Sequence, residues 1–333
     1  MKEIEMIVRA LLAPDSGGAV LATLVNVAGS SYRRAGARLL LTDNGFRTGS
    51  ISGGCLEEDV LARMQRVATT GRAEVAVYDT TSENDLVWGV GLGCHGVVHV
   101  LIERLPAQPA WAKILGANFA AHRPTQLSVL HAGPQLERFG TRLGSDPAAA
   151  GAPDETSFVE TISPPTSLRI FGAGDDAQPL ARLAHELGWR VAIADPRSAF
   201  ATQERFPFAE HLVVAPATEL VTRVDPAPDM LAVVMTHHYV HDVPILRALL
   251  ARPLAYLGLL GPKKRAERIL ADLEKSGMPI DAAQRARLHA PVGLDLGADS
   301  PEQVALSILA EMQAALRGRN ARPLRERTRP IHE

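Results

Sequence analysis

Leu168-Arg169-Ile170-Phe171-Gly172-Ala173-Gly174-Asp175-Asp176-Ala177 decides the fold of the C-terminal half. An apolar, strand-like run stops at two glycines one residue apart, and a helical pattern follows through Leu187. The spacing fits G-x-G-x-x-A, and Asp195 closes the next apolar run, RVAIAD, 21 residues after Gly174. Alone the glycines say little. A strand before them, a helix after them and an acid at the end of the second strand together read as a Rossmann unit. Outward from this point the alternation continues: HLVVA, LAVVMTHH, a helix at Pro244–Leu250, AYLGLLG, and a helix at Lys263–Leu273. Strands alternating with helices predict a parallel sheet covered on both faces. A last helix opens with Ser300-Pro301-Glu302-Gln303, where Ser300 caps, Pro301 suits the first turn and Gln303 completes a capping box.

Fold and ligand are separate questions here. A tight glycine turn at a helix start suits a pyrophosphate, because unpaired N–H groups and the helix dipole favour anions. Asp175 and Asp176 occupy that spot and would repel one. Gly172 and Gly174 therefore read either as an NAD(P) loop or as residues serving only the turn and helix–sheet packing. Asp195 would hydrogen-bond a ribose, or it simply ends a strand beside Pro196. The loop Thr236-His237-His238-Tyr239-Val240-His241-Asp242 resembles a metal cluster, yet no cysteine or second histidine set lies near it, so a helix-start network competes. Lys263, Lys264 and Arg265 sit at a helix start, where cations are unfavourable. That motivates an anion site, against a solvated helix face.

The other half is organised around cysteines. Gly49-Ser50-Ile51-Ser52-Gly53-Gly54-Cys55-Leu56-Glu57-Glu58 puts one of only two cysteines on a glycine turn. Leu56, Val60, Met64 and Val67 recur at helical spacing, so Cys55 opens a helix. That position lowers a thiol pKa, while Glu57, Glu58 and Asp59 oppose the shift. The second cysteine lies in Gly89-Val90-Gly91-Leu92-Gly93-Cys94-His95-Gly96. Two thiols on bare glycine loops read as ligands for something the backbone must approach closely; each alone also reads as a small packed residue. Cys55 and Cys94 are the candidate ligands of a soft metal such as molybdenum, or of a dithiolene cofactor's sulfur chemistry. Ser52, His95 and His99 stand beside them, and no C-x-x-C spacing supports a structural zinc. Tyr32-Arg33-Arg34, beside Gly29, Ser30 and Ser31, makes Arg33 and Arg34 a phosphate or pterin-anion grip, or a solvated basic turn.

Around these motifs the N-terminal half reads as α+β. A helix covers about residues 2–13, Ala19–Val27 is a strand, and Asp43-Asn44-Gly45 turns a hairpin. Glu74–Tyr78 and Val97–Glu103 are strands, and residues 106–142 hold one short helix and a hairpin around Gly133-Pro134. Residues 144–166, rich in Ala, Pro, Gly and Ser, read as a linker, with SFVETI inside it as a possible strand. The expected division is a cysteine-loop domain at 1–143, the linker at 144–166, and a Rossmann-like, doubly wound domain at 167–333.

A net charge of −2 gives no electrostatic case for nucleic acid or an anionic membrane, and 5% aromatics disfavour a stacking platform for single strands. The N-terminus reads as an amphipathic helix and not a signal peptide, and no run approaches a membrane span. Two cysteines cannot build a disulfide framework, so the expected location is a reducing cytoplasm.

GSSYRRAGARLLL, GSISGGCLEEDV and GLGCHG resemble the N-terminal domain of the xanthine dehydrogenase accessory (XdhC/CoxI) family. IFGAGDDAQPLARLAHELGWRVAIADPR, THHYVHD, YLGLLGPKKR and PVGLDLGADSPEQVALSILAEM resemble its C-terminal Rossmann domain. The resemblance implies a maturation factor that binds molybdenum cofactor (molybdopterin), supports its sulfuration and delivers it to a molybdenum hydroxylase apo-enzyme. It implies a cysteine desulfurase as a further partner and a homodimer, and it matches Cys55 and Cys94 to the family's cysteines. Where the family often reads GAGH and GCGG, this chain carries Asp175 and His95. The other readings are an NAD(P)-dependent oxidoreductase using Gly174 and Asp195, and a metal-dependent hydrolase using His237, His238 and His241.

Overall fold

The computed structural model describes residues 2–54, 56–79, 96–144, 154–224 and 229–328. The chain divides into two compact units, Met1–Pro164 and Pro165–Ile331.

The first unit is built on a five-stranded antiparallel sheet in the order β3-β2-β1-β5-β4. Its strands are β1 (Ala19–Gly29), β2 (Arg38–Thr42), β3 (Arg47–Gly49), β4 (Glu74–Asp79) and β5 (Gly96–Leu105). The Asn44-Gly45 signal turns β2 into β3, with Gly45 at φ +82°. Alternation along β5 sends Val98, Val100 and Ile102 to one face, against Val60, Met64 and Val67 of α2 (Glu57–Thr70). Gly71 ends α2 in the left-handed conformation that glycine accepts. The opposite face meets α1 (Lys2–Leu12), α3 (Ala110–Ala120) and a second sheet.

That second sheet, β7-β6-β8, comprises β6 (Thr125–Ala132), β7 (Gly140–Leu143) and β8 (Thr156–Ile162). The hairpin expected around Gly133-Pro134 joins β6 to β7. β8 lies within the stretch whose composition reads as a linker. Its alternating side chains pair it with β6, Phe158 opposite Val129. Glu103 of β5 keys the two sheets together: its buried carboxylate accepts the Thr141 N–H at 2.9 Å and the Thr141 hydroxyl at 2.5 Å.

The second unit is a parallel sheet in the order β11-β10-β9-β12-β13-β14. Its strands are β9 (Ser167–Phe171), β10 (Arg190–Asp195), β11 (His211–Val214), β12 (Leu231–Val234), β13 (Tyr256–Leu259) and β14 (Leu288–His289). In chain order this is 3-2-1-4-5-6, the doubly wound Rossmann order. All five residues of β9 are buried, as expected for a central strand covered on both faces. One core joins α4 (Ala177–Glu186) and α9 (Pro301–Leu316) to the sheet; the other joins α5 (Leu220–Val224), α6 (Tyr239–Leu250) and α7 (Lys263–Lys275). α8 (Ala282–Ala286) leads into the last strand. The capping box at Ser300 and Gln303 forms as expected.

One helix boundary departs from the sequence reading. α6 begins at Tyr239, five residues before Pro244. The extra turn is held by side chains: the His238 N–H donates to the Thr236 hydroxyl at 3.1 Å, and that hydroxyl donates to the buried Asp242 carboxylate at 2.5 Å. No described helix is long and apolar enough to cross a membrane.

Candidate functional site

Cys55, Cys94 and His95 lie outside the described residues; their chain neighbours do not. Gly49 closes β3, and α2 starts at Glu57, so residues 50–54 and 56 lie between a strand and a helix. Glu57 holds that loop in place. Its carboxylate accepts the Ser52 N–H at 2.8 Å, the Ser50 hydroxyl at 2.9 Å and the Ser52 hydroxyl. The buried Ser52 oxygen in turn accepts the N–H groups of Gly54 at 3.2 Å and Leu56 at 3.1 Å. Burial pushes the Glu57 carboxyl up, but the donors on Ser52 and Ser50 outweigh it and hold it below the usual carboxylate value. Glu57, expected to oppose a low thiol pKa, is thus the hydrogen-bond anchor of the loop.

Gly53 and Gly54, candidate cofactor contacts, are exposed at the top of this loop. Gly54 takes φ +115°, and a Cβ there would touch nothing within 4 Å. A Cβ on Gly53 would rest 3.5 Å from the ring of Tyr32.

The loop after β1 reaches the same place. Gly29, the last residue of β1, pairs with Gly96, the first of β5. A side chain at Gly96 would collide with the Ser30 carbonyl oxygen at 2.2 Å, so only glycine permits this approach. Arg33 pairs with Glu3 of α1. Arg34 is exposed and has no side-chain partner among the described residues. His99 lies further along β5, opposite Val77.

In the second unit the glycine loop sits at the C-terminal edge of β9, beside β12, where the strand order reverses. Ligands of open α/β sheets bind at such a point. Gly172 is at φ +118°, and a Cβ would lie 2.5 Å from the Met235 carbonyl oxygen. Its role is the close crossing of β9 and β12. Gly174 differs, since a Cβ there would meet only the His237 ring, at 4.0 Å.

Asp195 is fully buried and its hydrogen-bonding capacity is engaged within the protein. It accepts the Ala173 N–H at 2.7 Å, the Arg197 N–H at 2.8 Å, and two guanidinium bonds from Arg197 at 2.9 and 2.8 Å. Burial pushes this carboxyl up and those donors more than offset it, leaving it below the usual value. The Arg197 guanidinium lies 4.0 Å from the Phe200 ring centroid. In this arrangement the acid expected to read a ribose instead ties its strand to Arg197.

The two aspartates at the helix start are also partnered. Arg205 bonds Asp175 at 2.9 Å, and His237 Nε2 lies 3.0 Å from Asp176. His237 itself adopts φ +57°. His238 instead faces His241, with ring centroids 4.7 Å apart. His237 thus stands apart from the His238–His241 pair, and among the described residues no group of three or more His, Cys, Asp or Glu side chains is placed to hold a metal ion. The basic trio splits as well: Arg265 pairs with buried Asp242, while Lys263 stays exposed at the first turn of α7.

Residues 168–312 match the XdhC Rossmann domain and residues 14–79 match the XdhC and CoxI family. The chain is 35% identical over 321 residues to a probable xanthine dehydrogenase subunit of Bacillus subtilis, covering 90% of this chain and 94% of that protein. It belongs to the XdhC and CoxI family. A crystal structure described as a xanthine dehydrogenase from Bacillus halodurans superposes with a TM-score of 0.81 at 31% identity, over 97% of this chain and 99% of that one. The molybdenum cofactor insertion chaperone PaoD of Escherichia coli is 27% identical over 308 residues, 89% of this chain and 82% of its own. The XdhC Rossmann match includes the glycine loop, Asp195 and the histidines, and the family match to the first unit includes Tyr32, the Glu57 brace and position 55.

Two features escaped sequence reading. The Asp195–Arg197 lock is two residues long and was readable as a charge pair after a strand, but nothing in the spacing shows that the carboxylate turns inward. The Glu57 brace was signalled by Ser50 and Ser52 ahead of a helix that opens with three acids. That pattern marks a helix N-terminus whose loop can be held by its own first-turn carboxylate.

Proposed function

We propose that this protein is a maturation factor that binds molybdenum cofactor, supports its sulfuration and delivers it to a xanthine dehydrogenase-type molybdenum hydroxylase. The observation that carries the reading is the similarity, over most of both chains, to a molybdenum cofactor insertion chaperone. The first unit supplies a fitting donor set. Exposed Gly54, where a Cβ would meet nothing within 4 Å, leaves space for a bulky group against bare backbone. Glu57, Ser50 and Ser52 fix the loop that leads to position 55. Gly96, two residues after position 94, packs on the neighbouring loop at Ser30. On this reading Cys55 and Cys94 supply soft sulfur ligands, the glycines admit the cofactor, and His95 and Arg34 add polar contacts. The bound group supplies the molybdenum–sulfur chemistry; the chain binds it, orients it and shields it from water. Partners on this account are the apo-hydroxylase, a cysteine desulfurase and a second copy of the chain, in the cytoplasm. The cysteine-loop part would span residues 1–143 and the Rossmann part 167–333.

The test is transfer. Protein loaded with cofactor is mixed with an apo-hydroxylase, with and without a cysteine desulfurase, and recovered hydroxylase activity is followed. Faster recovery than with free cofactor, lost in Cys55→Ala, is expected; equal recovery with and without the protein overturns the reading. The oxidoreductase alternative retains the Gly172-Ala173-Gly174 loop in its favour, but the engagement of Asp195 by Arg197 removes its ribose-reading acid.

A further inference from the structure

The loop between β1 and β2 is tied down at several points. Gly96 packs on the Ser30 carbonyl, Arg33 pairs with Glu3, the Ala37 N–H bonds the Arg34 carbonyl at 3.1 Å, and the Gly36 N–H bonds the Leu24 carbonyl at 2.7 Å. The Tyr32 hydroxyl and the Arg34 guanidinium of this pinned loop, like the short hydroxyls of Ser30 and Ser31, have no partner among the described residues. Tyr32 is 65% exposed, although one side of its ring lies against Gly53, with Cδ1 and Cε1 both 3.5 Å from where a Cβ would sit. A single exposed aromatic is ordinary on a protein surface. This one is held on a backbone tied at several points, beside an exposed glycine loop, two residues from a guanidinium with no partner among the described residues. Tyrosine in such a place presents a large flat face at little entropic cost, because it has only two side-chain torsions to fix.

We propose that Tyr32 and Arg34 form a clamp for the organic part of the cofactor, Tyr32 stacking its planar pterin on the exposed ring face turned away from Gly53 and Arg34 pairing its phosphate. The proposal rests on the cofactor-binding reading above and assigns it two residues that do not depend on sulfur chemistry. A guanidinium binds phosphate through two parallel N–H bonds. Stacking of a planar heteroaromatic ring on an aromatic side chain is worth roughly tenfold or more in affinity. Arg33, the neighbouring guanidinium, is already paired with Glu3, whereas Arg34 has no partner among the described residues.

The probe is the oxidised, metal-free pterin phosphate derived from the cofactor, which lacks the dithiolene and so reports nothing of the cysteines. Its fluorescence is titrated with full-length protein, and each variant is melted alongside to show that it is folded. The wild type is expected to quench the probe saturably. Tyr32→Ala weakens binding about tenfold or more, and Tyr32→Phe stays within about threefold of the wild type. Arg34→Ala weakens the phosphorylated probe but leaves its dephosphorylated form unchanged. Molybdenum retained by the wild type, with equal probe affinity in Tyr32→Ala, overturns the clamp alone. No molybdenum retained and no probe bound overturns the clamp together with the reading beneath it. Intact probe binding in Tyr32→Ala with loss of transfer to the apo-hydroxylase also overturns the clamp, by assigning the exposed ring to the client protein.

Discussion

Replacing Glu57 by alanine removes the acceptor shared by the Ser52 N–H, the Ser52 hydroxyl and the Ser50 hydroxyl, the last of which keeps the Ser52 carbonyl oxygen at 2.5 Å as an alternative. Hydrogen bonds to a charged group contribute about 1.5–3 kcal/mol each when buried, and less when half exposed. Glu57 is half-buried, so about 1 kcal/mol per donor is the fitting figure, or about 3 kcal/mol in all. For a unit of this size that corresponds to a fall in Tm of roughly 6–12 °C. Glu57→Gln keeps one acceptor oxygen and should lose about half as much. The sign of the pH dependence follows from the lowered carboxyl pKa. The brace contributes fully above the unfolded carboxylate range and is lost as pH falls through the lower folded value. The difference between wild type and Glu57→Gln should therefore persist at neutral pH and vanish in acid. Thermal unfolding from pH 7 down to pH 3, with amide exchange at Ser52, Gly54 and Leu56, measures both parts. An unchanged Tm together with unchanged exchange at those three amides would refute the reasoning, because the loop would then be held by something else.

In the second unit, Gly172→Ala should destabilise by about 2–4 kcal/mol, since a Cβ would lie 2.5 Å from the Met235 carbonyl oxygen at a φ of +118°; Gly174→Ala, with its nearest neighbour at 4.0 Å, should melt within about 2 °C of the wild type. A scan that ranks the two equally would refute the distinction. Arg197→Ala leaves the buried Asp195 with only its two N–H donors and should cost about 2–3 kcal/mol. Denaturant unfolding checks the figure, and an unchanged midpoint would mean that the guanidinium is not bonded to Asp195 in solution. Asp242→Asn should loosen the first turn of α6 by about 2 kcal/mol, through the loss of its pairing with Arg265 and a weaker bond from Thr236; amide exchange at His241 and Asp242 reports it.

The doubly wound half was legible because its signal is local and repeated. Its first five strands, β9 to β13, hold short apolar runs, and the glycines, the capping box at Ser300 and the basic start of α7 all stand at element boundaries, while the two-residue β14 carries no such signal. The N-terminal half yielded its elements but less of its assembly. β8 was readable as the SFVETI strand inside a stretch whose composition reads as linker, but its place was not, because pairing with β6 is a long-range contact that local sequence does not carry. The start of α6 was missed because Pro244 outweighs, in sequence, a Thr236–Asp242 hydrogen bond that exists only once the loop is folded. At the candidate site, residue types were readable and pairings were not. Arg33 and Arg34 are indistinguishable as letters, yet one is bonded to a helix 30 residues earlier and the other is free among the described residues. Asp195 stands at the expected place for ribose recognition, and only its inward turn to Arg197 shows that its bonds are already made.

The most direct test of the central claim is the molybdenum and pterin content of full-length protein purified from molybdenum-replete cells, by metal analysis and pterin fluorescence, for wild type, Cys55→Ala and Cys94→Ala. The account predicts both molybdenum and pterin in the wild type and their loss from the cysteine variants. A wild type that carries neither, and that instead gains thermal stability with NAD(P), would contradict it.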